Sequence, residues 1–115
     1  MSNTEIVRAM FAAYLAGDHD TADRLLAEDL AFTSPQDDHI DKTAYMQRCF
    51  PTAGRFSSHK ILQLLDADGD HVLVLYEYDL ATGGRYRNVE YITVRDGQIC
   101  DVQVFFGGPA QAPAR

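Results

Sequence analysis

Hydrophobic residues near the start of the chain recur every three or four positions, which is the period of an α-helix. One face of this predicted first helix consists of Ile6, Met10, Ala13, Tyr14 and Gly17. Asn3 or Thr4 can cap its first turn, and Gly17 ends it. A second row, formed by Val7, Phe11 and Leu15, widens the apolar surface and predicts burial on more than one side.

A second helix and a short strand follow. Asp18 or Asp20 caps this helix, whose predicted core-facing residues are Ala22, Leu25, Leu26 and Leu30. Phe32 and Thr33 then extend as a strand that Pro35 ends.

The polar stretch 36–41 predicts a loop, and Asp41 can cap a third helix that ends at Pro51. The apolar residues of that helix are Tyr45, Met46, Cys49 and Phe50. A cluster of Asp37, Asp38 and His39 could bind a metal or shuttle protons. Because adjacent loop residues splay apart, a solvated capping loop is the favoured interpretation, and no metal site is predicted.

After Arg55 the pattern changes to that of β-strands. Strands are predicted at about 56–66, 71–80, 85–95 and 98–106, separated by turns at 66–70, 81–84 and 95–97. Helices followed by antiparallel hairpins predict an α+β domain with the helices packed on one face of a sheet.

The register of the second hairpin decides which side chains share a face. A five-residue loop lets Asp79 oppose Arg85 and Glu77 oppose Arg87, which gives two complementary charge pairs. The other face then carries Val72, Val74, Tyr76, Tyr78, Tyr86, Asn88, Glu90 and Ile92. A four-residue loop would lose both pairs, so the first register is favoured and Glu90 points with the tyrosines.

The charged face is itself apolar further along, at Leu73, Leu75, Val89 and Tyr91. Both faces of the sheet therefore need cover, and three helices can cover only one. We expect a homodimer through the outer face of the sheet.

The last turn leaves two alternatives. A three-residue loop at 95–97 with a left-handed Gly97 places Cys100, Val102, Val104 and Phe106 inward and Asp101 outside. A two-residue turn at Asp96 and Gly97 would instead place Asp101 and Gln103 inside, beside Glu90.

Composition narrows the partners. The 115 residues suit one domain, expected at 1–108 with a flexible tail at 109–115. A net charge of -7 disfavours nucleic acid and anionic membranes. No signal peptide or membrane span is visible, so a cytoplasmic location is expected. Cys49 and Cys100 have no paired spacing and are expected to be reduced thiols.

Three segments carry a resemblance to a known superfamily: Tyr14-Leu-Ala-Gly-Asp18, Leu25-Leu-Ala-Glu-Asp-Leu-Ala-Phe32, and the ending from Asp96-Gly-Gln-Ile99 to Val104-Phe-Phe-Gly107. In this order and spacing the chain resembles the nuclear transport factor 2-like (NTF2-like) superfamily, in particular its SnoaL-like and ketosteroid-isomerase-like branches. The resemblance implies a cone-shaped, curved, mostly antiparallel sheet wrapped round three N-terminal helices. It also implies an apolar interior open at one end and dimerisation through the convex face. Of the two arrangements of the last turn, it favours the three-residue loop with Asp101 outside.

The superfamily's steroid isomerases use a tyrosine, an aspartate base and a protonated carboxylic acid. The resemblance places these on Met10, Ser34 and Glu90 of this chain. Only the carboxylic acid is kept, so the chain is not expected to be a standard steroid isomerase. The superfamily also hosts cyclases, dehydratases, hydrolases and binding modules, so the site must decide the function.

Glu90 is the candidate catalytic residue, because a carboxyl facing an apolar cone has a raised pKa and can act as general acid or base. The candidate substrate-binding residues are Tyr14, Ser34, Phe50, Tyr76, Tyr78, Asn88, Val104 and Phe106. The expected ligand is a small, hydrophobic, oxygen-bearing molecule, and no cofactor is implied. His59 and His71 lie near strand ends without triad partners. The alternative is a non-catalytic ligand-binding or assembly domain.

Overall fold

Within residues 1–110, which the computed structural model describes, a six-stranded sheet covers three α-helices and a 3₁₀ helix. The helices are α1 (Asn3–Ala16), α2 (His19–Leu25) and α3 (Lys42–Arg48), and the 3₁₀ helix is Phe50–Arg55. The strands are β1 (Leu26–Ser34), β2 (Asp37–Ile40), β3 (Phe56–Asp66), β4 (His71–Leu80), β5 (Arg85–Arg95) and β6 (Gln98–Pro109). Their order is β2-β1-β6-β5-β4-β3, with β1 and β6 parallel and the other pairs antiparallel. The predicted α+β fold with a curved, mixed sheet is confirmed.

The helix ends follow local hydrogen bonding. Ser2 caps α1, because its hydroxyl accepts from the Glu5 backbone N–H and the Glu5 carboxylate accepts from the Ser2 backbone N–H. This reciprocal capping box explains why the predicted cap at Asn3 or Thr4 was wrong. Gly17, with φ 67°, ends α1 as predicted. Asp18 caps α2 by accepting from the Thr21 backbone N–H.

The predicted second helix is too long. It ends at Leu25, and Leu26 begins β1, which pairs with β6. Leu26 and Leu30 are nevertheless buried, as expected. A spacing of four residues fits both the helical period and an even strand period, so burial at these two positions cannot distinguish a helix from a strand.

The predicted polar loop 36–41 contains a strand instead. β2 forms a hairpin with β1, in which Phe32 opposes Ile40 and Ser34 opposes Asp37. The predicted cap of α3 is confirmed, because the Asp41 carboxylate accepts from the Ala44 backbone N–H at 2.9 Å. Helix α3 is shorter than predicted and ends before Cys49.

The register of β4 and β5 is the one favoured from the charge pairs. Asp79 opposes Arg85 and Glu77 opposes Arg87, and both pairs form short ionic contacts of 2.8 Å. Glu90 opposes Val74 on the inner face, beside Tyr76.

The last hairpin combines features of both alternatives. Arg95 pairs with Gln98, so the turn has the two residues Asp96 and Gly97, both with positive φ. A register shift after Thr93 leaves Cys100 as an extra residue. This bulge restores the orientation expected for the longer loop, so Val102 and Val104 are buried and Asp101 lies outside.

The core lies between the inner face of the sheet and helix α1. Its largest fully buried side chains are Leu26, Ile99, Val7, Val72, Val74 and Val94. No helix among residues 1–110 is long and apolar enough to cross a membrane. Strand β6 continues to Pro109, and the Ala110 N–H donates to the Arg85 carbonyl. The rest of the predicted tail, 111–115, lies outside the described residues.

Candidate functional site

A cavity of about 640 Å³ separates the helices from part of the inner sheet face. Its walls come from α1, α3, the 3₁₀ helix and strands β1 to β6, and this volume is in the range of small-molecule sites. The exposed residues on its rim are Gln36, Arg48, Arg55 and Phe106.

Glu90 lies in the wall of this cavity with one short hydrogen bond. The Tyr76 hydroxyl donates to Glu90 Oε2 at 2.6 Å, and Asn88 Nδ2 donates to the Tyr76 hydroxyl at 3.2 Å. Burial raises the pKa of Glu90 to about 7, while the Tyr76 hydrogen bond acts in the opposite direction. Near neutral pH this carboxyl is therefore present in both its protonated and its ionised form.

Tyr76 and Asn88 complete a buried polar chain. Burial and the neighbouring Glu90 raise the pKa of Tyr76, so its hydroxyl remains a neutral donor. Asn88 is 6% exposed, and its Oδ1 atom has no hydrogen-bond partner within the described part of the chain. The three residues lie on neighbouring strands because Tyr76 opposes Asn88 across the β4–β5 hairpin.

Glu90 and all but one of the predicted substrate-binding residues line the cavity. Those that do are Tyr14, Ser34, Tyr76, Tyr78, Asn88, Val104 and Phe106. Phe50 does not, and that prediction is corrected: it begins the 3₁₀ helix and is buried against Tyr14 and His19. Phe50 supports the wall from behind because the chain leaves the α-helical path at Cys49.

The Tyr14 hydroxyl already donates its proton in a hydrogen bond within the protein. Its oxygen lies 2.6 Å from Thr52 Oγ1, and Thr52 itself donates to the Cys49 carbonyl. Tyr14 must therefore be the donor of their shared bond, which leaves its oxygen free to accept. Burial raises the pKa of Tyr14, so the group stays neutral.

Two further side chains in the wall were not predicted as site residues. Tyr45 of α3 packs on Phe32, and burial together with the charge of Glu90 raises its pKa well above the ordinary value. His59 of β3 stacks on Tyr76 with ring centroids 4.8 Å apart, and burial lowers its pKa. Its position opposite Tyr78 follows from the β3–β4 register, in which only Lys60 and Glu77 form an opposed charge pair and two register shifts interrupt the pairing.

The mouth of the cavity contains a second carboxylate. Asp37 lines the cavity and contacts Arg48 at 3.4 Å and the Ser34 hydroxyl at 3.5 Å. It lies on β2 rather than in the predicted solvated loop, whereas Asp38 and His39 are exposed and do not line the cavity.

The cysteine at this mouth is a poor nucleophile. Burial, with Asp37 nearby, raises the pKa of the Cys49 thiol to about 11, so the thiol stays protonated at neutral pH. Across residues 1–110 no group of three or more His, Cys, Asp or Glu side chains is arranged to hold a metal ion.

The positions assigned from the steroid isomerases meet in this cavity. Met10, Ser34 and Glu90 all line it. Two of the three lack the groups of the isomerases, and Asp37 instead supplies a carboxylate beside Ser34.

Solved structures with the same fold include an NTF2-like protein from Cytophaga hutchinsonii (TM-score 0.74, 15% identity, 92% of this chain and 90% of that chain covered). A Kribbella flavida protein provisionally assigned as a ketosteroid isomerase gives a TM-score of 0.75 at 22% identity, with 98% of this chain and 83% of that chain covered. A Sinorhizobium meliloti protein provisionally assigned as a polyketide cyclase gives a TM-score of 0.75 at 22% identity, with 87% of this chain and 93% of that chain covered. A comparison with curated proteins gave no significant match.

The fold is therefore of the NTF2-like class, an open cone of sheet over helices. The model of the SnoaL-like domain matches residues 7–102. This chain belongs to the SnoaL-like family.

Proposed function

We propose that this protein is an acid/base enzyme acting on a small, hydrophobic, oxygen-bearing molecule, with Glu90 as the group that moves the proton. The observation that carries the proposal is the position of Glu90 in the wall of a cavity, with a pKa raised by burial to about 7. A general acid or base works best when its pKa lies near the working pH.

The chemistry that this arrangement supports is proton transfer next to a carbonyl group. The ionised Glu90 carboxylate accepts a proton from the carbon beside the carbonyl, and the electron pair of that C–H bond forms the enolate. Protonated Glu90 then returns the proton to the same or a neighbouring carbon. Tyr45 has no side-chain hydrogen bond to other described residues and can donate to the enolate oxygen.

The residues around Glu90 divide into one that positions its carboxyl and others that contact the ligand. Tyr76 is held by Glu90 and Asn88, so it fixes the carboxyl rather than the substrate. Tyr78 and Phe106 lie towards the open end of the same face and supply apolar contact. A ligand with one polar end and a flat apolar body matches this division.

Hydrogen–deuterium exchange tests the proposal without knowledge of the natural substrate. Hydrophobic ketones such as 2-tetralone are incubated with the protein in D₂O, and loss of the protons next to the carbonyl is followed by NMR. Wild type should accelerate exchange for at least one ketone, and Glu90→Gln should lose about 100-fold or more of that rate.

Asp101→Asn is the matched control, because it removes a carboxylate from the outer side of the sheet. It should retain the wild-type exchange rate. Equal exchange by wild type and Glu90→Gln across the panel would refute a catalytic Glu90.

A non-catalytic ligand-binding domain is the second candidate. It is favoured by the replacement of two isomerase groups by Met10 and Ser34, while the cavity itself remains open. Thermal shifts with the same ketones distinguish the two: binding without any exchange in the wild type supports the second candidate.

The proposed assembly is a homodimer through the outer sheet face. Leu65, Leu73 and Phe105 are exposed there, and their strands also present Leu75, Val89 and Tyr91 on that face. A patch of this kind suits a self-complementary two-fold interface. Sedimentation should show a dimer that Phe105→Asp dissociates, while Gln47→Asp, at an exposed position of α3 away from the sheet's outer face, should leave it intact.

A further inference from the structure

We propose that the ligands of this cavity are hydrophobic carboxylates, whose carboxylate group binds the Arg55 guanidinium at the rim. The inference rests on the proposed function of the cavity as a small-molecule site and names the class of substrate.

Most arginines on the sheet and at the mouth of the cavity form an ion pair with an acidic residue. Arg48 contacts Asp37, Arg85 contacts Asp79, Arg87 contacts Glu77 and Arg95 contacts Asp70. Arg55 lines the cavity and is exposed, yet it has no ion pair with any residue from 1 to 110. Although the chain has a net charge of -7, the Arg55 guanidinium at the mouth of the cavity is therefore available to bind an anionic group of a ligand.

The base of Arg55 is fixed while its guanidinium remains available. Arg55 ends the 3₁₀ helix, and its backbone carbonyl accepts from the Ala81 N–H at 2.8 Å. The next residue, Phe56, packs on Tyr14 with ring centroids 6.1 Å apart, and Tyr14 and Arg55 both line the cavity. Arg55 therefore lies on the Tyr14 side of the mouth, with its guanidinium open to a ligand.

The chemistry of the remaining wall selects the rest of the ligand. Below the rim, the wall includes the apolar side chains of Met10, Phe11, Leu30, Phe32 and Val102. A guanidinium matches the two oxygens of a carboxylate, and the apolar wall matches a hydrocarbon or aromatic body. The carboxylate must bind at the rim, because a second anion beside Glu90 would be repelled.

Binding of a matched pair of probes tests the inference. The acid 2-naphthylacetate and the neutral 2-naphthylacetamide have nearly the same shape, and their dissociation constants are measured by naphthalene fluorescence. Wild type should bind the acid about five- to tenfold more tightly than the amide, a difference reduced from that of a buried pair because Arg55 is exposed. Arg55→Ala should remove the preference, and Arg55→Lys should retain part of it.

Arg8→Ala is the control for net charge, because Arg8 is exposed on α1 and does not line the cavity. Its preference for the acid should equal that of the wild type. Equal affinities of wild type for acid and amide, or equal losses in Arg55→Ala and Arg8→Ala, would overturn the inference and leave the proposed cavity function intact. Failure of both probes to bind wild type would count against the proposed cavity function and the inference together.

Discussion

The two faces of the β4–β5 hairpin hold carboxylates with opposite properties. On the inner face, burial raises the pKa of Glu90 to about 7. On the outer face, hydrogen bonds from Arg85 and Ser58 lower the pKa of Asp79 to about 2. The two residues lie on paired strands of the same hairpin. The face of the sheet, which the register sets, therefore decides whether the pKa of a carboxyl is raised by burial or lowered by hydrogen bonds from partners such as Arg85.

The largest difference between the two faces of the sheet should be in the stability lost when a packed leucine is shortened to alanine. Leu26, 2% exposed, packs in the inner core, whereas Leu65, 53% exposed, lies on the outer face. Leu26→Ala should cost about 2–5 kcal/mol of unfolding free energy, because it leaves a cavity in the core. Leu65→Ala should cost less than about 1 kcal/mol at a fixed protein concentration. Urea unfolding measures both, and equal costs would contradict the assignment of the two faces.

The pH dependence of stability should show the raised pKa of Glu90. Between the ordinary value of 4.5 and about 7, the folded state holds more protons than the unfolded state. Its stability therefore falls as the pH rises through this window, by on the order of 3 kcal/mol at most. Glu90→Gln should remove this fall, as measured by urea unfolding at pH 4 and pH 8. A wild type and a variant with parallel pH profiles would contradict a buried, raised carboxyl.

Removal of the Tyr76 hydroxyl should raise the pKa of Glu90 further. The Tyr76 bond lowers the pKa of Glu90, so Tyr76→Phe should move that pKa above about 7. The lost hydrogen bond should also cost about 1 kcal/mol of stability. Tyr86→Phe, which changes a tyrosine that does not line the cavity, is the matched control and should leave the Glu90 pKa unchanged. A downward shift in Tyr76→Phe would contradict the account of this bond.

The outer face should give the smallest effect, with the opposite sign. Because the pKa of Asp79 is lowered from an ordinary value of 3.8 to about 2, its contribution to stability is present above pH 3.8 and is lost as the pH falls through about 2. The stability difference between wild type and Asp79→Asn should be small near neutral pH, because the pair is exposed, and should shrink further in acid. Growth of that difference in acid would contradict the assignment.

The sequence predicts the second half of the fold well, because each strand alternates clearly and the charge pairs fix a register. Asp79 with Arg85 and Glu77 with Arg87 are enough to determine the face on which Glu90 lies. The first half is less predictable. Leu26 and Leu30 fit both strand and helix periods, and β2 forms only through its pairing with β1.

The candidate site follows the same division. Residues placed by the β4–β5 register, such as Tyr76, Asn88 and Glu90, are predictable from the sequence. Residues placed by α3, the 3₁₀ helix and β3, such as Tyr45, Arg55 and His59, are not, since their orientation depends on tertiary packing. The bulge at Cys100 shows why turn length alone cannot fix a face: it compensates for a two-residue turn.

The most direct measurement is the pKa of Glu90 itself. The chain has glutamates only at Glu5, Glu28, Glu77 and Glu90, so labelling of glutamate with ¹³C at the carboxyl carbon gives few signals to follow by NMR during a pH titration. Glu90→Gln identifies the signal by its loss. We expect it to titrate near pH 7. A midpoint at or below pH 5 would contradict a Glu90 pKa raised by burial in the cavity wall, and with it the proposed acid/base role.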